Sequence, residues 1–159
     1  MQPLDLGLSY RRQRIFGDNK RLRGLVAMPA AAMAIFWAAG SLRETLPAWL
    51  ARGLWDLPPE HYALLGFLAG LAFMLAELPN SFFKRRLGIP PGQLPRTGWA
   101  RLACSLVDRI DSVLGTLVVV SLLVPVSAMT WFWVLLIGPG VPALFSSVLF
   151  RLHVKERIL

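Results

Sequence analysis

The sequence predicts an all-α integral membrane protein with about four transmembrane helices. Its 159 residues are 55% hydrophobic and only 16% charged, and the mean hydropathy is +0.55. Soluble domains carry about 25% charged residues, so this composition fits neither a soluble domain nor a disordered chain. The apolar residues also form long runs without a single charge, as membrane-spanning helices require. We therefore expect one membrane domain over residues 1–159.

Three charge-free runs locate the helices, at residues 24–42, 61–76 and 112–150. A helix needs about 20 apolar residues to cross about 30 Å of hydrocarbon. The last run would be about 58 Å long as one helix, so we expect it to fold back near Pro125, which cannot continue the helical hydrogen bonding. The predicted helices are 24–42, 61–78, 106–125 and 129–150, with a loop over about 79–106.

The distribution of Lys and Arg predicts the orientation. Residues 1–23 carry six of these cations, residues 43–60 two, residues 77–111 six and residues 151–159 three. Cytoplasmic segments are enriched in Lys and Arg. Both termini and the long basic loop are therefore predicted to be cytoplasmic, in a multi-pass protein of the cell membrane. The net charge of +8 then indicates a membrane as the partner, and no nucleic acid.

The segment between the first two helices allows two interpretations. Trp49 to Trp55 is an amphipathic stretch rich in Leu and Trp. Such a stretch is typical of a helix that lies in the membrane interface. A plain connector fits the sequence equally well.

The end of the second helix carries polar residues at helical spacing. If the helix continues past residue 78, the side chains at i, i+3, i+4 and i+7 share one face, and these are Glu77, Asn80, Ser81 and Lys84. Pro79 would break or kink that helix, which at membrane depth indicates a site lined by protein or water. The alternative is an interfacial cap followed by a basic anchor at residues 84–86.

Two acids stand at the start of the third helix. Asp108 and Asp111 are three residues apart, so they project from the same side of a helix. Paired carboxylates at a membrane surface are costly unless a cation accompanies them. Arg101 or Arg109 would serve as that cation in a purely structural arrangement. Mg²⁺ held by these oxygens together with phosphate oxygens is the functional alternative.

A turn signal interrupts the basic segment before the first helix. Gly17-Asp18-Asn19 favours a turn that would fix the positions of Asp18 and Lys20, whereas simple anchoring explains the other cations. The three cytoplasmic segments together favour a polyphosphate site with a divalent metal. Neither histidine nor the single cysteine, Cys104, indicates nucleophilic catalysis.

Three blocks of the sequence resemble the CDP-archaeol synthase family, membrane CTP-dependent cytidylyltransferases related to phosphatidate cytidylyltransferase. The first block runs from Pro3 to Gly24 and contains Phe16-Gly-Asp-Asn-Lys20. The second is Asn80-Ser-Phe-Phe-Lys-Arg-Arg-Leu-Gly-Ile-Pro-Pro-Gly92, and the third is Asp108-Arg-Ile-Asp-Ser112 with Gly115. The blocks follow the order of the family and cover most of the chain.

The resemblance implies a nucleotidyltransferase of phospholipid biosynthesis that joins CTP to a lipid phosphate and releases pyrophosphate. The lipid would be phosphatidate-like or an archaeal ether lipid, and the cofactor Mg²⁺. Asp108, Asp111 and Lys84 are then the expected catalytic residues, with Glu77 as a further metal ligand. The expected substrate-binding residues are Asp18, Lys20, Arg23, Asn80, Ser81, Arg85 and Arg86.

Departures from the family pattern keep a second hypothesis open. The last helix of the family commonly carries a His and an Asn, where this chain has Pro142 and Ser146. A non-catalytic relative that binds anionic lipid or a lipid-synthesis partner through the same basic surface is therefore the alternative. A small transporter is less favoured, because no charge lies in the middle of a predicted helix.

Overall fold

The computed structural model describes residues 3–5, 8–10, 13–16, 20–90 and 98–141. The regular structure within these ranges is helical apart from two short strands and one isolated bridge, which agrees with the predicted all-α class. The helices are α1 (Leu22–Leu42), α2 (Ala48–Ala51), α3 (Pro59–Arg86), α4 (Gly98–Leu123) and α5 (Ala128–Ile137). Strands β1 (Ser9–Tyr10) and β2 (Gln13–Arg14) pair antiparallel, with Ser9 opposite Arg14.

Helix α3 is the centre of the fold, with α1 and α4 packed against it. The helices approach closely because small residues stand at the crossings. A β-carbon added at Gly70 would lie 2.8 Å from the Cα of Pro29 in α1. One added at Gly115 in α4 would lie 2.4 Å from the Cβ of Ala76. Larger side chains at either glycine would push the helices apart.

The exposed surface of this bundle is strongly apolar. Val26, Ile35 and Leu122 are 68%, 68% and 79% exposed, respectively. In the described residues, α1 extended by its last turn (Leu22–Thr45) and α3 are long and apolar enough to cross a membrane. The core is small and lies near the Trp55 end of α3, where Leu65 and Ala69 pack against Val120 and Val124. The apolar surface is therefore suited to contact with lipid.

The predicted boundary at residue 78 is wrong, because α3 continues through Pro79 to Arg86. Likewise, α4 begins at Gly98, eight residues before the predicted start, so the predicted loop over 79–106 is shorter at both ends. An apolar run marks only the part of a helix that meets hydrocarbon. The polar turns beyond residue 76 are stabilised by contacts between helices, which offset the backbone hydrogen bond that Pro79 cannot make.

Helix α3 ends in a hydrogen-bonded Schellman turn. Gly88 has φ +72°, a left-handed conformation that glycine adopts without strain. The Ile89 amide donates to the Lys84 carbonyl at 3.0 Å, and the Gly88 amide donates to the Arg85 carbonyl at 3.1 Å. These two bonds are the pattern by which a helix is commonly terminated. The two hydrogen bonds end α3 after Arg86, and they thereby fix the positions of Lys84 to Arg86 in the last turn of the helix.

The predicted turn after α4 is confirmed, and α5 follows it. Ser127 caps α5 by accepting a hydrogen bond from the Thr130 amide at 3.1 Å. Helix α5 ends at Ile137, and a turn at Gly138-Pro139 follows before Gly140 and Val141 are helical again, whereas the prediction continued without a break to residue 150. Glycine and proline are the weakest helix formers, which explains the early end. Residues 142–150 of that prediction lie outside the described ranges.

The segment before α3 contains one helical turn, α2, at the start of the amphipathic stretch, and the rest of that stretch is not helical. Trp55 within it donates its indole N–H to the Pro125 carbonyl at 3.0 Å, and Tyr62 donates its hydroxyl to the Trp55 carbonyl at 2.7 Å. The connector thereby joins the ends of α3 and α4.

Candidate functional site

The polar face predicted on α3 forms as expected and meets the two acids of α4. Asn80 donates its amide Nδ2 to Asp108 Oδ1 at 2.5 Å and to Asp111 Oδ2 at 2.9 Å. An amide NH₂ has two protons, so one Asn80 side chain donates to both carboxylates at once. Asp108 and Asp111 are thus held side by side, as their spacing predicted.

Lys84 is the cation beside these acids. Its Nζ forms an ion pair with Asp108 and hydrogen-bonds to both carboxylate oxygens. The Lys84 side chain is 10% exposed and that of Asp108 is 38% exposed, so the pair has one buried and one accessible side. The structural arrangement considered from sequence required Arg101 or Arg109 in this role. Arg101 is exposed and forms none of the ion pairs among the described residues, and the Arg109 side chain is outside them.

Lys20 and Glu77 form a second ion pair, between the start of α1 and α3. The pairing of residues 3–5 with the strand-like backbone before α1 places Lys20 there. The Leu4 amide donates to the Lys20 carbonyl at 2.7 Å, and Pro3 forms an antiparallel bridge with Arg21. The N-terminal segment therefore positions the Lys20 side chain beside Glu77 on the polar face of α3.

Ser112 joins Glu77 of the second ion pair to Asp111, and its importance was missed in the sequence. Its hydroxyl lies 3.1 Å from Glu77 Oε1 and 3.1 Å from Asp111 Oδ1. Its amide donates to Asp111 Oδ1 at 2.6 Å. Ser112 is only 2% exposed. The signal was its place directly after Asp108-Arg-Ile-Asp111, where a buried serine adjoins the acids.

Asp5 is a second functional-looking residue that sequence reasoning did not select. Its side chain is 4% exposed and accepts a hydrogen bond from the Phe16 amide at 3.3 Å. Buried carboxylates are rare unless they are paired or hydrogen-bonded. The sequence did offer one signal of a buried acid, because Asp5 stands within the otherwise apolar stretch Pro3-Leu-Asp-Leu. Asp5 organises the segment that positions Lys20.

The other predicted binding residues take different positions. Arg85 is 7% exposed and donates to the Ile89 carbonyl at the end of α3, while its Nε has no acceptor among the described residues. Arg86 stacks over the Phe82 ring at 5.0 Å. Ser81 is buried on α3 and joins none of the site's described hydrogen bonds. Asp18 lies outside the described residues.

A cleft of about 370 Å³ adjoins the Lys20–Glu77 pair. It lies between the start of α1 and the polar end of α3. Arg23, the remaining predicted binding residue, lines it. The site therefore has two parts: a carboxylate cluster (Asp108, Asp111 with Asn80 and Lys84) between α3 and α4, and a basic cleft between α1 and α3. Glu77 and Ser112 connect them.

The donor set fits one mode of magnesium binding and not another. Among the described residues, no group of three His, Cys, Asp or Glu side chains is arranged to enclose a metal. An all-protein cage is therefore not formed there. Mg²⁺ is more often held by one or two carboxylates together with substrate phosphates. Asp108 and Asp111, aligned by Asn80, suit that second mode.

Comparisons with known proteins agree with one another. The model of the CarS-like CDP-archaeol synthase family matches residues 1–158. The CDP-archaeol synthase of Halobacterium salinarum strain R1 is 29% identical over 98% of this chain and 82% of its own length. That of Methanospirillum hungatei is 32% identical over 78% of this chain and 66% of its own length. That of Aeropyrum pernix is 35% identical over 74% of this chain and 55% of its own length. No solved structure matches this chain.

Proposed function

We propose, from the premise that this chain belongs to the CDP-archaeol synthase family, that it joins CTP to a lipid phosphate. Membership implies a membrane CTP-dependent cytidylyltransferase that makes a CDP-lipid. In the proposed reaction an oxygen of the lipid phosphate attacks the α-phosphorus of CTP. The bond from that phosphorus to the bridging oxygen of the β-phosphate breaks, and pyrophosphate leaves with the electron pair.

The observation that carries this proposal is the carboxylate cluster. Residues from α3 and α4 meet there with opposite charges and shared hydrogen bonds, at the end of a long apolar helix. Transfers at phosphorus need little covalent chemistry from the protein, and they depend on positioning and charge stabilisation. Lys84 supplies a fixed positive charge, and Asp108 and Asp111 supply hard oxygen ligands. No nucleophilic side chain is required.

Asp108 and Asp111 are the proposed ligands of Mg²⁺, with Glu77 a weaker candidate because Lys20 and Ser112 already engage its two oxygens. The bound metal would neutralise charge on the triphosphate and on the departing pyrophosphate. Asn80 orients both acids by donating to each of them. Lys84, Lys20 and Arg23 are proposed to bind phosphate oxygens. Arg85 and Arg86 lie at the end of α3, where Arg85 donates to the Ile89 carbonyl and Arg86 stacks over Phe82.

The position of the site along α3 supports a membrane-surface location. Twenty-eight residues make a helix of about 42 Å, longer than the hydrocarbon layer of about 30 Å. Glu77 to Lys84 occupy the excess. A lipid phosphate lies at that depth while its chains remain in hydrocarbon. The substrate is accordingly proposed to be a phosphatidate-like or archaeal-type ether lipid phosphate.

We also propose four membrane-spanning helices with the active face in the cytoplasm. The excess of Lys and Arg in residues 1–23 and 77–111 supports that orientation. A reporter fused at residue 50 should then be external, and reporters at both termini cytoplasmic. A cytoplasmic reporter at residue 50 would contradict this topology.

The activity is tested with purified protein in uncharged detergent, CTP labelled in its α-phosphate, Mg²⁺ and a series of lipid phosphates. We expect label to enter the lipid phase and unlabelled pyrophosphate to appear in equal amount, and a chelator to stop both. Ether-linked and ester-linked lipids of matched length separate the two lipid classes. Failure with every lipid phosphate would reject the enzyme and favour the non-catalytic relative.

A further inference from the structure

The Lys84 ammonium group engages both oxygens of a carboxylate that is also a proposed metal ligand. Its Nζ hydrogen-bonds to Asp108 Oδ1 and to Asp108 Oδ2. Asp108 is the acid with which Lys84 pairs among the described residues. The Lys84 side chain is almost fully buried, so water weakens this ion pair little. The protein thus supplies Asp108 with a cation of its own.

Asp111, the second acid of the carboxylate cluster, has partners of a different kind. It accepts hydrogen bonds from the Asn80 side chain and from the Ser112 amide, which are both uncharged. No ion pair among the described residues includes Asp111. Two carboxylates therefore face one ammonium group in the cluster, which leaves one negative charge. Only Asp108 has its charge compensated directly by Lys84.

A metal ion that uses both acids competes with Lys84. It would take up oxygens of Asp108 to which the ammonium group already donates. Like charges repel, and in a partly buried site the repulsion is screened only weakly. The flexible stem of a lysine and its three rotatable donors allow the ammonium group to change partners. Phosphate oxygens are suitable new partners, because they accept charged hydrogen bonds as carboxylates do.

We propose that Lys84 holds Asp108 until CTP binds, and that its hydrogen bonds then pass from the carboxylate to phosphate oxygens, which frees Asp108 for Mg²⁺. This inference rests on the proposed function, because it takes Asp108 and Asp111 as metal ligands. The positive charge stays in the site and only its partner changes. Lys84 thereby lowers the affinity of the protein for free metal, and metal and nucleotide each favour the binding of the other.

Titration of Mn²⁺ alone into the purified protein in uncharged detergent tests the exchange, with free Mn²⁺ measured by electron paramagnetic resonance. Lys84→Gln removes the charge and retains a hydrogen-bond donor. The Mn²⁺ affinity should rise about 10-fold or more, because the repulsion by a neighbouring cation is lost. The KM for CTP should rise about 10–100-fold, the usual effect of losing a charged hydrogen bond. Damage to the structure of the site would weaken both interactions.

Two matched controls each remove a cation from elsewhere. Arg101→Gln removes an exposed cation about two turns before Asp108 in α4. Arg43→Gln frees the acid Asp56 from an ion pair at the other end of the bundle. Both should bind Mn²⁺ within about 3-fold of the wild type, because exposed charges are screened by solvent. Asp108→Asn, added to Lys84→Gln, should cancel the gain in affinity.

Two further variants guard against a loss of fold in Lys84→Gln. Lys84→Met also removes the charge, and its long flexible side chain fills the buried space of the lysine stem. Lys84→Arg keeps the charge and should keep the weak Mn²⁺ affinity of the wild type. The melting temperature of each variant is measured with and without Mn²⁺. Because a ligand of the folded state raises this temperature, Mn²⁺ should raise it more in Lys84→Gln and Lys84→Met than in the wild type.

These measurements are independent of turnover. Tighter Mn²⁺ binding by Lys84→Gln or Lys84→Met, cancelled by Asp108→Asn, supports the exchange even if no lipid phosphate reacts with CTP. Unchanged or weaker Mn²⁺ binding by these variants overturns it, and so does a complete lack of Mn²⁺ binding. An equal gain in Arg101→Gln or Arg43→Gln also overturns it, because the effect would then be general electrostatics. The proposed reaction is judged separately, by the assay with labelled CTP.

Discussion

Each end of the α3–α4 pair carries an ion pair and side-chain hydrogen bonds, but the two ends use them differently. At the Trp55 end, Arg43 pairs with Asp56, whose side chain is 92% exposed. The contacts that join the connector to the helices there run from Trp55 and Tyr62 to backbone carbonyls. At the Asp108 end, the contacts run between side chains, and three acids from two helices share their partners. The contacts at the Trp55 end join loops to helices, whereas those at the Asp108 end fix the positions of charged side chains.

This difference indicates where function lies. The backbone carbonyls at the Trp55 end are uncharged and already accept hydrogen bonds from Trp55 and Tyr62, so these contacts serve the structure alone. A carboxylate has room for about four hydrogen-bond donors or ligands, and Asp108 and Asp111 share Asn80 while keeping an exposed side. Acids near a membrane surface are costly, so an arrangement that retains two of them together favours a cation-dependent task over a structural one.

The largest effect is expected from Asp111→Asn, which retains the shape of the side chain and removes one charge of the carboxylate cluster. Turnover should fall about 100-fold or more, because electrostatic stabilisation is usually the largest contribution to catalysis. The melting temperature in detergent should fall only modestly, since the amide oxygen still accepts from Ser112 and only the hydrogen bond from Asn80 to the second oxygen is lost. Both quantities are measured on one preparation with Mg²⁺ titrated.

Asp56→Asn is the control at the Trp55 end. It also removes an acid from an ion pair, yet turnover and Mg²⁺ dependence should stay at the wild-type values. Turnover of Asp111→Asn that is unchanged at every Mg²⁺ concentration would show that the acids of the Asp108 end are structural. The contrast between the two ends would then disappear.

The sequence predicted which residues share a helix face better than it predicted which residues pair across two helices. Spacing alone placed Asn80 and Lys84 on one face of α3 and the two acids on one face of α4, because helical period fixes direction. The pairing of Asp108 with Lys84, and not with Arg101, depends on the relative shift of α3 and α4. The close approach of Gly115 to Ala76 constrains that shift, and no local pattern reveals it.

The extent of the helices and the role of buried polar residues were also beyond the sequence. A charge-free run marks only the part of a helix that lies in the hydrocarbon layer. It therefore did not indicate the polar helical turns of α3 beyond residue 76, which contacts between helices stabilise. Ser112 has no distinctive pattern of its own, and only the approach of Glu77 from α3 gives it a second partner. Arg85 was grouped with phosphate ligands, but the end of α3 turns its guanidinium toward the Ile89 carbonyl.

An intermediate effect is expected from Ser112→Ala, which tests whether the Asp108 end acts as a connected network. Residues that orient metal ligands typically change metal affinity 10–100-fold. The Mg²⁺ concentration for half-maximal turnover should therefore rise about 10-fold, while turnover at saturating Mg²⁺ stays within about 3-fold. Ser112→Thr, which keeps the hydroxyl, should restore the wild-type value.

Ser121→Ala is the matched serine control, because it removes a hydroxyl that accepts the Trp131 indole N–H at 2.9 Å and contacts none of the acids of the site among the described residues. Its Mg²⁺ dependence should equal that of the wild type. If the two alanine variants shift the Mg²⁺ dependence equally, the effect does not arise from the contact between Ser112 and the acids.

The smallest effect is expected at the Trp55 end, from Trp55→Phe. The substitution removes the indole donor to the Pro125 carbonyl and retains most of the apolar contact with the core. A lost hydrogen bond of this kind costs about 1 kcal/mol of folding free energy, so the melting temperature should fall slightly while both KM values and turnover below that temperature stay unchanged. Thermal melting and kinetics on one preparation measure both. Turnover that falls without a change in melting temperature would mean that the Trp55 end influences the site, since a purely structural contact changes the folded fraction and not the activity of each folded molecule.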